Sequence, residues 1–485
     1  MKGPYFFGID IGTQGCRTVL VDTKGTVQGA AEERFPISDL SLQEQAPDHW
    51  WNAAMICMKR TIKEVKDSIR LSEVQALSVT STSGTVIPVD HNFHPLHPAI
   101  MYSDRRSAKE GEHCRQLALE NEISGYTGFN SSSGLSKIVW YLNEYPLLRR
   151  RIHRWLHATD YIIGKLSGQF TITDHTNVLK SGYDLIHHCW PDYLFEQLGL
   201  EKDWLPTVVA SGKPVGTLSK TLADDLGLTQ DVTVVSGMTD GCASQVASGA
   251  AAPGDWNTTI GTTLVIKGIT RQPVHDPEDR LYNHRHPDGY WMPGGASNVG
   301  ADWVAKKFGV ALKKLNDEAK KLIPTKWLTY PLSGRGERFP FVAPHATGFE
   351  PEDLTDAQLF ASGMEGVAYV ERYAFELISE LSGEQVVAVY TAGGGSNNET
   401  WRAIRANVLN LPIYKMQHVA GAAGAAILAA SNTCFSSLHE ATRSMCTLES
   451  EEVPDKMMAE KYEGRYRQFI QMLRNKGYIQ SKPLC

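Results

Sequence analysis

Residues 5–25 read YFFGIDIGTQGCRTVLVDTKG, and their punctuation points to the fold. The apolar run FFGIDIG carries one carboxylate, Asp10, near its end. Gly12-Thr13 marks a tight turn, RTVLVD resumes a strand pattern, and Asp22-Thr23-Lys24-Gly25 is a second turn. VQGAAEERF supplies a third strand, which completes a β-meander. Working outward, residues 49–66 carry Trp50, Ala53, Ala54, Cys57, Ile62 and Val65 at mostly helical spacing. VQALSVTSTSG is then a strand running into a loop of small residues. Strands followed by helices, with polar loops at strand ends, predict an α/β domain.

The second half repeats this grammar. Ile11-Gly12-Thr13 recurs as Ile260-Gly261-Thr262, each time between two strands. The strand DVTVVSGMTDG ends in a polar turn just before it, and NTTIGTTLVIKG is β-like around it. VVAVYTA runs into Gly393-Gly394-Gly395-Ser396-Asn397-Asn398, and ETWRAIRANVLN follows as a helix. HVAGAAGAAILAA is a helix whose small residues allow close packing, and residues 137–170 are also helical. The charged tail, 450–485, is read as helical, docked through Tyr462, Phe469, Ile470 and Leu473. A repeated turn in matching contexts predicts two related domains that each offer a turn to one ligand. The boundary is placed near 247–255.

Composition narrows the classes. The chain has 485 residues, 42% hydrophobic and 21% charged, which excludes a disordered or collagen-like protein. Its 48 basic and 54 acidic residues give a net charge of -6, so no global attraction to nucleic acid or anionic membrane is expected. No apolar run is long enough for a membrane span, and no secretory leader is legible. The eight cysteines form no CxxC pair, which predicts a reduced, cytoplasmic protein.

Three turns carry candidate chemistry. At Asp10-x-Gly12-Thr13, glycine permits close backbone approach, and the N–H groups with the Thr13 hydroxyl can hold a phosphate. Arg17 can neutralise phosphate charge, and Asp10 can hold Mg²⁺ through water. A plain β-hairpin turn explains the same four residues. Gly261-Thr262-Thr263 follows the same logic, and Gly393-Gly394-Gly395 can meet a nucleotide between strand and helix. Neither is a Rossmann nor a Walker motif. Asp240, in SGMTDGCAS, stands at a strand's C-terminal end, where it can take a proton from a substrate hydroxyl. Its alternative is to cap a helix starting near Cys242.

Other features are discounted. His91, His94 and His97 lie in a turn, so their rings need not converge on a metal. Asn283-His284-Arg285-His286 is read as a solvated loop, and His187-His188-Cys189 as surface. Cys242 is assigned to packing.

Taken together, these residues resemble the FGGY carbohydrate kinases, over residues 5 to about 432. FFGIDIGTQGCRTVLVD is similar to the family's first phosphate motif. HPAIMYSDRR resembles its W-x-D-x-R sugar segment, with Tyr102, Asp104 and Arg106 at the three positions and Tyr in place of Trp. SSSGLSKIVWYLNEYP resembles a family signature around Lys137 and Trp140, departing from it at Gly134 and Tyr141. DYIIGKLSGQFTITDHTN, GERFPF, SGMEGVAY and AGGGSNNETWRAIRANVLNLPI match further family segments.

The resemblance implies two actin-like, ribonuclease-H-like α/β domains, with ATP and sugar in the cleft between them. Residues 1–250 would form the sugar-binding domain, and residues 251–485 the nucleotide-binding domain with a helical tail. The general base falls to Asp240. Phosphate contacts fall to Gly12, Thr13, Arg17, Gly261, Thr262 and Thr263, and nucleotide contacts to Gly394, Gly395 and Asn398. Asp10 and Asp240 are the Mg²⁺ candidates, and the expected cofactors are ATP and Mg²⁺. The partner would be a small-molecule sugar, not nucleic acid or membrane, with a homodimer left open. Where family xylulokinases carry Q-M-H-G, this chain aligns Thr82 and Ser83 with the Met and His. With the MYSDRR segment, this points to a ketopentose, D-ribulose ahead of D-xylulose. A polyol or sugar acid is the alternative, and a non-metabolic ATPase or a sugar-binding regulator are the competing classes.

Overall fold

The computed structural model describes residues 3–36, 39–309 and 312–480. The chain divides into two units. The first comprises residues 1–251, 284–289 and 418–447, and the second 252–283, 290–417 and 448–485.

In the first unit, β1 (Tyr5–Ile11), β2 (Gly15–Asp22) and β3 (Val27–Arg34) form the antiparallel meander. Helix α1 (Pro47–Val65) buries Trp50, Ala53, Ala54, Cys57, Ile62 and Val65 on one face. Next, β4 (Val74–Ser81) pairs parallel with β1. Strands β5 (Pro214–Thr217) and β6 (Thr233–Val235) follow, with β6 parallel to β4. The sheet order is β5-β6-β4-β1-β2-β3, and β7 (Met238–Thr239) also pairs with β4. β1 is buried at every position, as befits a central strand covered on both faces. The expected single strand around position 235 is thus two short ones. Gly237 between them passes so close to β4 that an added Cβ would lie 2.0 Å from the Val79 carbonyl oxygen.

Helix α2 (Asp240–Ala247) begins directly after β7. It starts at Asp240 rather than near Cys242, with Thr239 as its N-cap residue. Within 137–170, helices Gly134–Glu144 and Ala158–Ser167 are separated by a strand, Arg154–His157, which helical periodicity alone did not reveal.

The second unit repeats the plan. β8 (Asp255–Ile260), β9 (Leu264–Gly268) and β10 (Trp291–Ser297) form an antiparallel meander. The long helix α3 (Asp356–Ser382) precedes β11 (Ala388–Ala392), which pairs parallel with β8. Helix α4 (Glu399–Leu409) leads to β12 (Ile413–Met416), parallel to β11, and β13 (Leu448–Glu452) closes that edge antiparallel. Helix α5 (Lys456–Asn475) buries Tyr462, Phe469, Ile470 and Leu473, as its pattern predicts. The tail is therefore a strand and then a helix. The strand Tyr282–Arg285 lies outside β10 at the sheet edge, and the remaining order β10-β9-β8-β11-β12-β13 mirrors β3-β2-β1-β4-β6-β5.

The chain crosses between units more often than a single boundary allows. Helix Gly421–Ser431 belongs to the first unit, although it follows β12. Its glycines and alanines let backbone meet backbone. A Cβ on Gly8 would lie 1.9 Å from Ala422 O, and one on Gly424 would lie 2.0 Å from Ala243 O. Asn283-His284-Arg285-His286 is not a solvated loop: Tyr282–Arg285 is a strand, and His284 and His286 are buried. Burial pulls the His286 ring down to about 4.

Candidate active site

In the first unit, three strands end in register. Ile11 of β1 pairs with Ser81 of β4, and Ser81 pairs with Thr239 of β7. The Gly12-Thr13 turn, the Thr82-Ser83 loop and Asp240 therefore leave the sheet at one edge, the carboxyl ends of parallel strands. Open α/β sheets place ligands at such edges.

Asp10 is buried one residue before that edge, and its Oδ1 has no hydrogen-bond partner. Burial pushes its carboxyl up to about 7, the Asp240 carboxylate adds to the rise, and Arg17 opposes it. Gly421, the first residue of the alanine-rich helix, closes over this carboxyl: an added Cβ would lie 3.0 Å from Asp10 Cγ. A divalent cation fits two nearby carboxylates of which one is desolvated and unpartnered, since hard cations take oxygen ligands. Among the described residues no group of three or more metal-ligating side chains converges, so any cation held here keeps water or ligand oxygens around it. The three histidines of the turn point to separate partners: His91 to His153, His94 to Asp90, and His97 to Tyr141 and Glu44.

Asp240 sits half-buried at the first position of α2, and its Oδ1 accepts the Gly241 N–H at 2.7 Å. Gly12 N–H closes its turn on Gly15 O at 2.9 Å. An added Cβ on Gly12 would meet nothing closer than 3.5 Å, so packing of this chain does not demand glycine there. Thr13 O accepts from Gln45 Nε2 at 2.9 Å, and its hydroxyl lies 3.4 Å from the Tyr102 hydroxyl. The phosphate-type turn and the sugar-type segment therefore meet. Arg17 pairs with Glu32 at 3.0 Å, both side chains about half exposed.

The sugar-type residues form one cluster. Thr82 is buried and shares a 2.9 Å hydrogen bond with Thr85, whose hydroxyl also accepts Tyr102 N–H at 3.2 Å. Ser83 Oγ is buried with no partner. Asp104 is buried, and Arg106 Nε lies 2.5 Å from its Oδ2. Arg106 also reaches Glu44 at 2.6 Å and lies over the Trp140 ring at 4.9 Å. Lys137 is wholly buried and donates to Ser131 O. Burial pulls its ammonium down to about 7, opposed by Asp104. Thr85, Gln45 and Gly421 were missed from the sequence because only folding brings them to these turns. Lys137 and Trp140 were visible in a motif without a role.

In the second unit, β8 and β11 also end side by side, with Thr259 opposite Ala392. The Gly261–Thr263 turn and the glycine triplet are thereby neighbours. Gly261 N–H donates to Thr263 O at 3.0 Å, and its added Cβ would meet nothing closer than 3.9 Å. Thr262 and Thr263 are backed by Gly300, whose Cβ would lie 2.5 Å from Thr262 O. Of the triplet, Gly393 has φ +83° and Gly395 packs on Ile260, both for structural reasons. Gly394 faces open space, with nothing within 4 Å of an added Cβ. Asn398 caps α4 by accepting Trp401 N–H at 3.0 Å, and its amide nitrogen lies 3.6 Å from Met364 Sδ. Arg405 locks α4 to α3 and β11 through Glu371 and Thr391, at 2.7 and 2.6 Å.

Comparison with known proteins gives consistent results. Residues 5–247 match the N-terminal domain of the FGGY family of carbohydrate kinases, and residues 256–433 match its C-terminal domain. The chain is 26% identical over 467 residues to a xylulose kinase of Bacillus subtilis, covering 90% of each. It is 24% identical over 428 residues to a gluconokinase of the same organism, covering 83% of this chain and 82% of the relative. A solved xyloylose kinase from Brucella ovis superposes with a TM-score of 0.87 at 23% identity, over 98% of this chain and 99% of that one.

Proposed function

Because this chain belongs to the FGGY family of carbohydrate kinases, and is therefore a phosphotransferase acting on a sugar, we propose that it transfers the γ-phosphoryl of MgATP to a terminal hydroxyl of a ketopentose, D-ribulose ahead of D-xylulose. The observation that carries this reading is the shared edge of the first unit's sheet, where Asp240, the Gly12-Thr13 turn and the Ser83 loop leave in register.

Phosphoryl transfer needs position and charge neutralisation more than covalent chemistry. Asp240 accepts the proton of the attacking hydroxyl. Asp10, with Asp240, would hold Mg²⁺, which when bound neutralises charge on the transferring group. The Gly12-Thr13 turn offers phosphate oxygens the Thr13 hydroxyl and an approach that glycine keeps clear, and the Gly261–Thr263 turn offers the same within the second unit. Gly394 leaves room for the nucleotide. Asn398 Oδ1 caps α4, which leaves its amide nitrogen as the group to meet the nucleotide.

For the sugar, Ser83 Oγ is buried, unpartnered and small. Serine and threonine where xylulokinases carry histidine and methionine leave room for a different hydroxyl pattern. Tyr102 adds an aromatic wall with a polar tip. Among the described residues no helix is long and apolar enough to cross a membrane, and the seven described cysteines are free, with Cys485 outside the described residues. A cytoplasmic enzyme acting on a free sugar accommodates both.

The test is ADP release with D-ribulose, D-xylulose, L-ribulose, erythritol, glycerol and gluconate. D-Ribulose should show the highest kcat/KM. A wide margin for glycerol or gluconate refutes the ketopentose, and ATP turnover indifferent to any sugar refutes the acceptor.

A further inference from the structure

Asp174 and its neighbours form a buried polar network below α2. Asp174 caps the short helix His175–Val178. Its Oδ1 accepts the Thr176 N–H at 2.7 Å, the Thr176 hydroxyl at 2.6 Å and the Ser211 hydroxyl at 3.1 Å. Its Oδ2 accepts Asn177 Nδ2 at 2.5 Å. Thr176 is fully buried, and its Oγ also accepts the backbone N–H of Thr239 at 2.8 Å. Thr239 is the N-cap residue of α2, the residue before Asp240.

Chemistry fixes the direction of this chain of bonds. Backbone N–H groups only donate, so Thr239 needs an acceptor. Asp174 Oδ1, already receiving an N–H, acts as an acceptor, so the Thr176 hydroxyl spends its one proton there. Its lone pair is then directed to Thr239 N–H. Turning the Thr176 side chain away would leave the buried Thr239 N–H without its acceptor, which is costly.

We propose that Thr176, oriented by Asp174, is a positioning residue that fixes the chain entering α2 and thereby aims the Asp240 carboxylate. The proposal rests on the reading of Asp240 as the general base. Thr176 is not itself the proton acceptor. Its effect passes through one backbone hydrogen bond at the residue before Asp240. A shift of a fraction of an ångström at Thr239 turns the first residue of α2, whose side chain is held only half-buried. General-base transfer depends steeply on such geometry.

The experiment compares three variants of the full chain with D-ribulose and MgATP, or with whichever sugar the ADP-release screen selects. Thr176→Val keeps the β-branch and removes the hydroxyl. It should lower kcat by about 10-fold, the scale of one well-placed hydrogen bond, with KM for ATP within about 2-fold of the parent. Thr176→Ser keeps the hydroxyl and should restore kcat, even where its melting temperature falls with the lost methyl. Asp240→Asn is the control for the underlying assignment. Loss of activity in Asp240→Asn with a normal Thr176→Val overturns the positioning role and leaves the base in place. Full activity in Asp240→Asn removes the base and this inference with it. Equal losses in the Val and Ser variants, tracking their melting temperatures, reduce Thr176 to a packing role.

Discussion

At the scale of single residues, the candidate site is defined by side chains that the fold leaves unsatisfied. Asp10 is the strongest case. Its carboxyl is raised from 3.8 to about 7, so the folded chain holds a proton there that the unfolded chain has released. Stability from this group is complete below the unfolded value and is lost as pH rises through about 7. Asp10→Asn cannot ionise. Without ligands, its melting temperature should exceed the parent's by a margin that widens between about pH 4 and about pH 7 and is constant above. Mg²⁺ should raise the parent's melting temperature at alkaline pH but not the variant's. A margin independent of pH contradicts the burial of an ionisable carboxyl.

Ser83 poses the complementary case, a hydroxyl rather than a charge. A site built to hydrogen-bond a substrate hydroxyl loses discrimination when that partner is removed. Ser83→Ala should lower kcat/KM for the true sugar by about 10-fold, with ATP affinity unchanged. An unaltered sugar preference in the ADP-release assay removes Ser83 from the sugar contacts. The Asp240→Asn variant should lose about 10²- to 10⁴-fold in kcat with modest change in nucleotide affinity.

Elements set where these residues stand. Parallel pairing of β1, β4 and β7 brings three sequence-distant loops to one edge, and the alanine-rich helix packs behind them by backbone contact. This packing makes a contrast within one residue type. Gly424→Ala places a methyl 2.0 Å from Ala243 O on α2, where backbone must move. It should destabilise the chain by about 1–3 kcal/mol, the cost of overpacking, and lower kcat as well because α2 carries Asp240. Gly464→Ala, on the exposed face of α5 with nothing within 4 Å, should stabilise by up to about 1 kcal/mol through helix propensity alone. Urea denaturation of the two variants checks both signs. A neutral Gly424→Ala would show that the helix pair yields easily.

At the scale of the whole molecule, chain order and spatial order part company. Residues 418–447 complete the first unit, while 448–485 return to the second. A chain ending before 418 loses the helix against Gly8 from one unit and the edge strand β13 with α5 from the other. Neither unit is expected to fold in such a truncation, because each loses buried core or close backbone packing. Circular dichroism melts of the truncated chain provide the check, and a cooperative, parent-like transition contradicts the interleaved architecture.

The sequence by itself determined the elements with local signals: the meander at 5–34, the α1 face, the docking face of α5 and the two Ile-Gly-Thr turns. Strand alternation, helical spacing and turn residues act between near neighbours, so a single chain displays them. It also displayed Asp10, Asp240 and the glycine turns as candidates, because carboxylates and glycines at strand ends are visible in a single chain. Tertiary structure alone decided what required distant partners. The alanine-rich helix joined the first unit, His284 and His286 became buried, and Arg17 met Glu32 across the β2–β3 pair. Which hydroxyl or carboxylate stays unpartnered, as at Ser83 and Asp10, depends on every group that folding brings within reach. No local pattern encodes it, because hydrogen bonds and burial are settled between residues far apart in the chain.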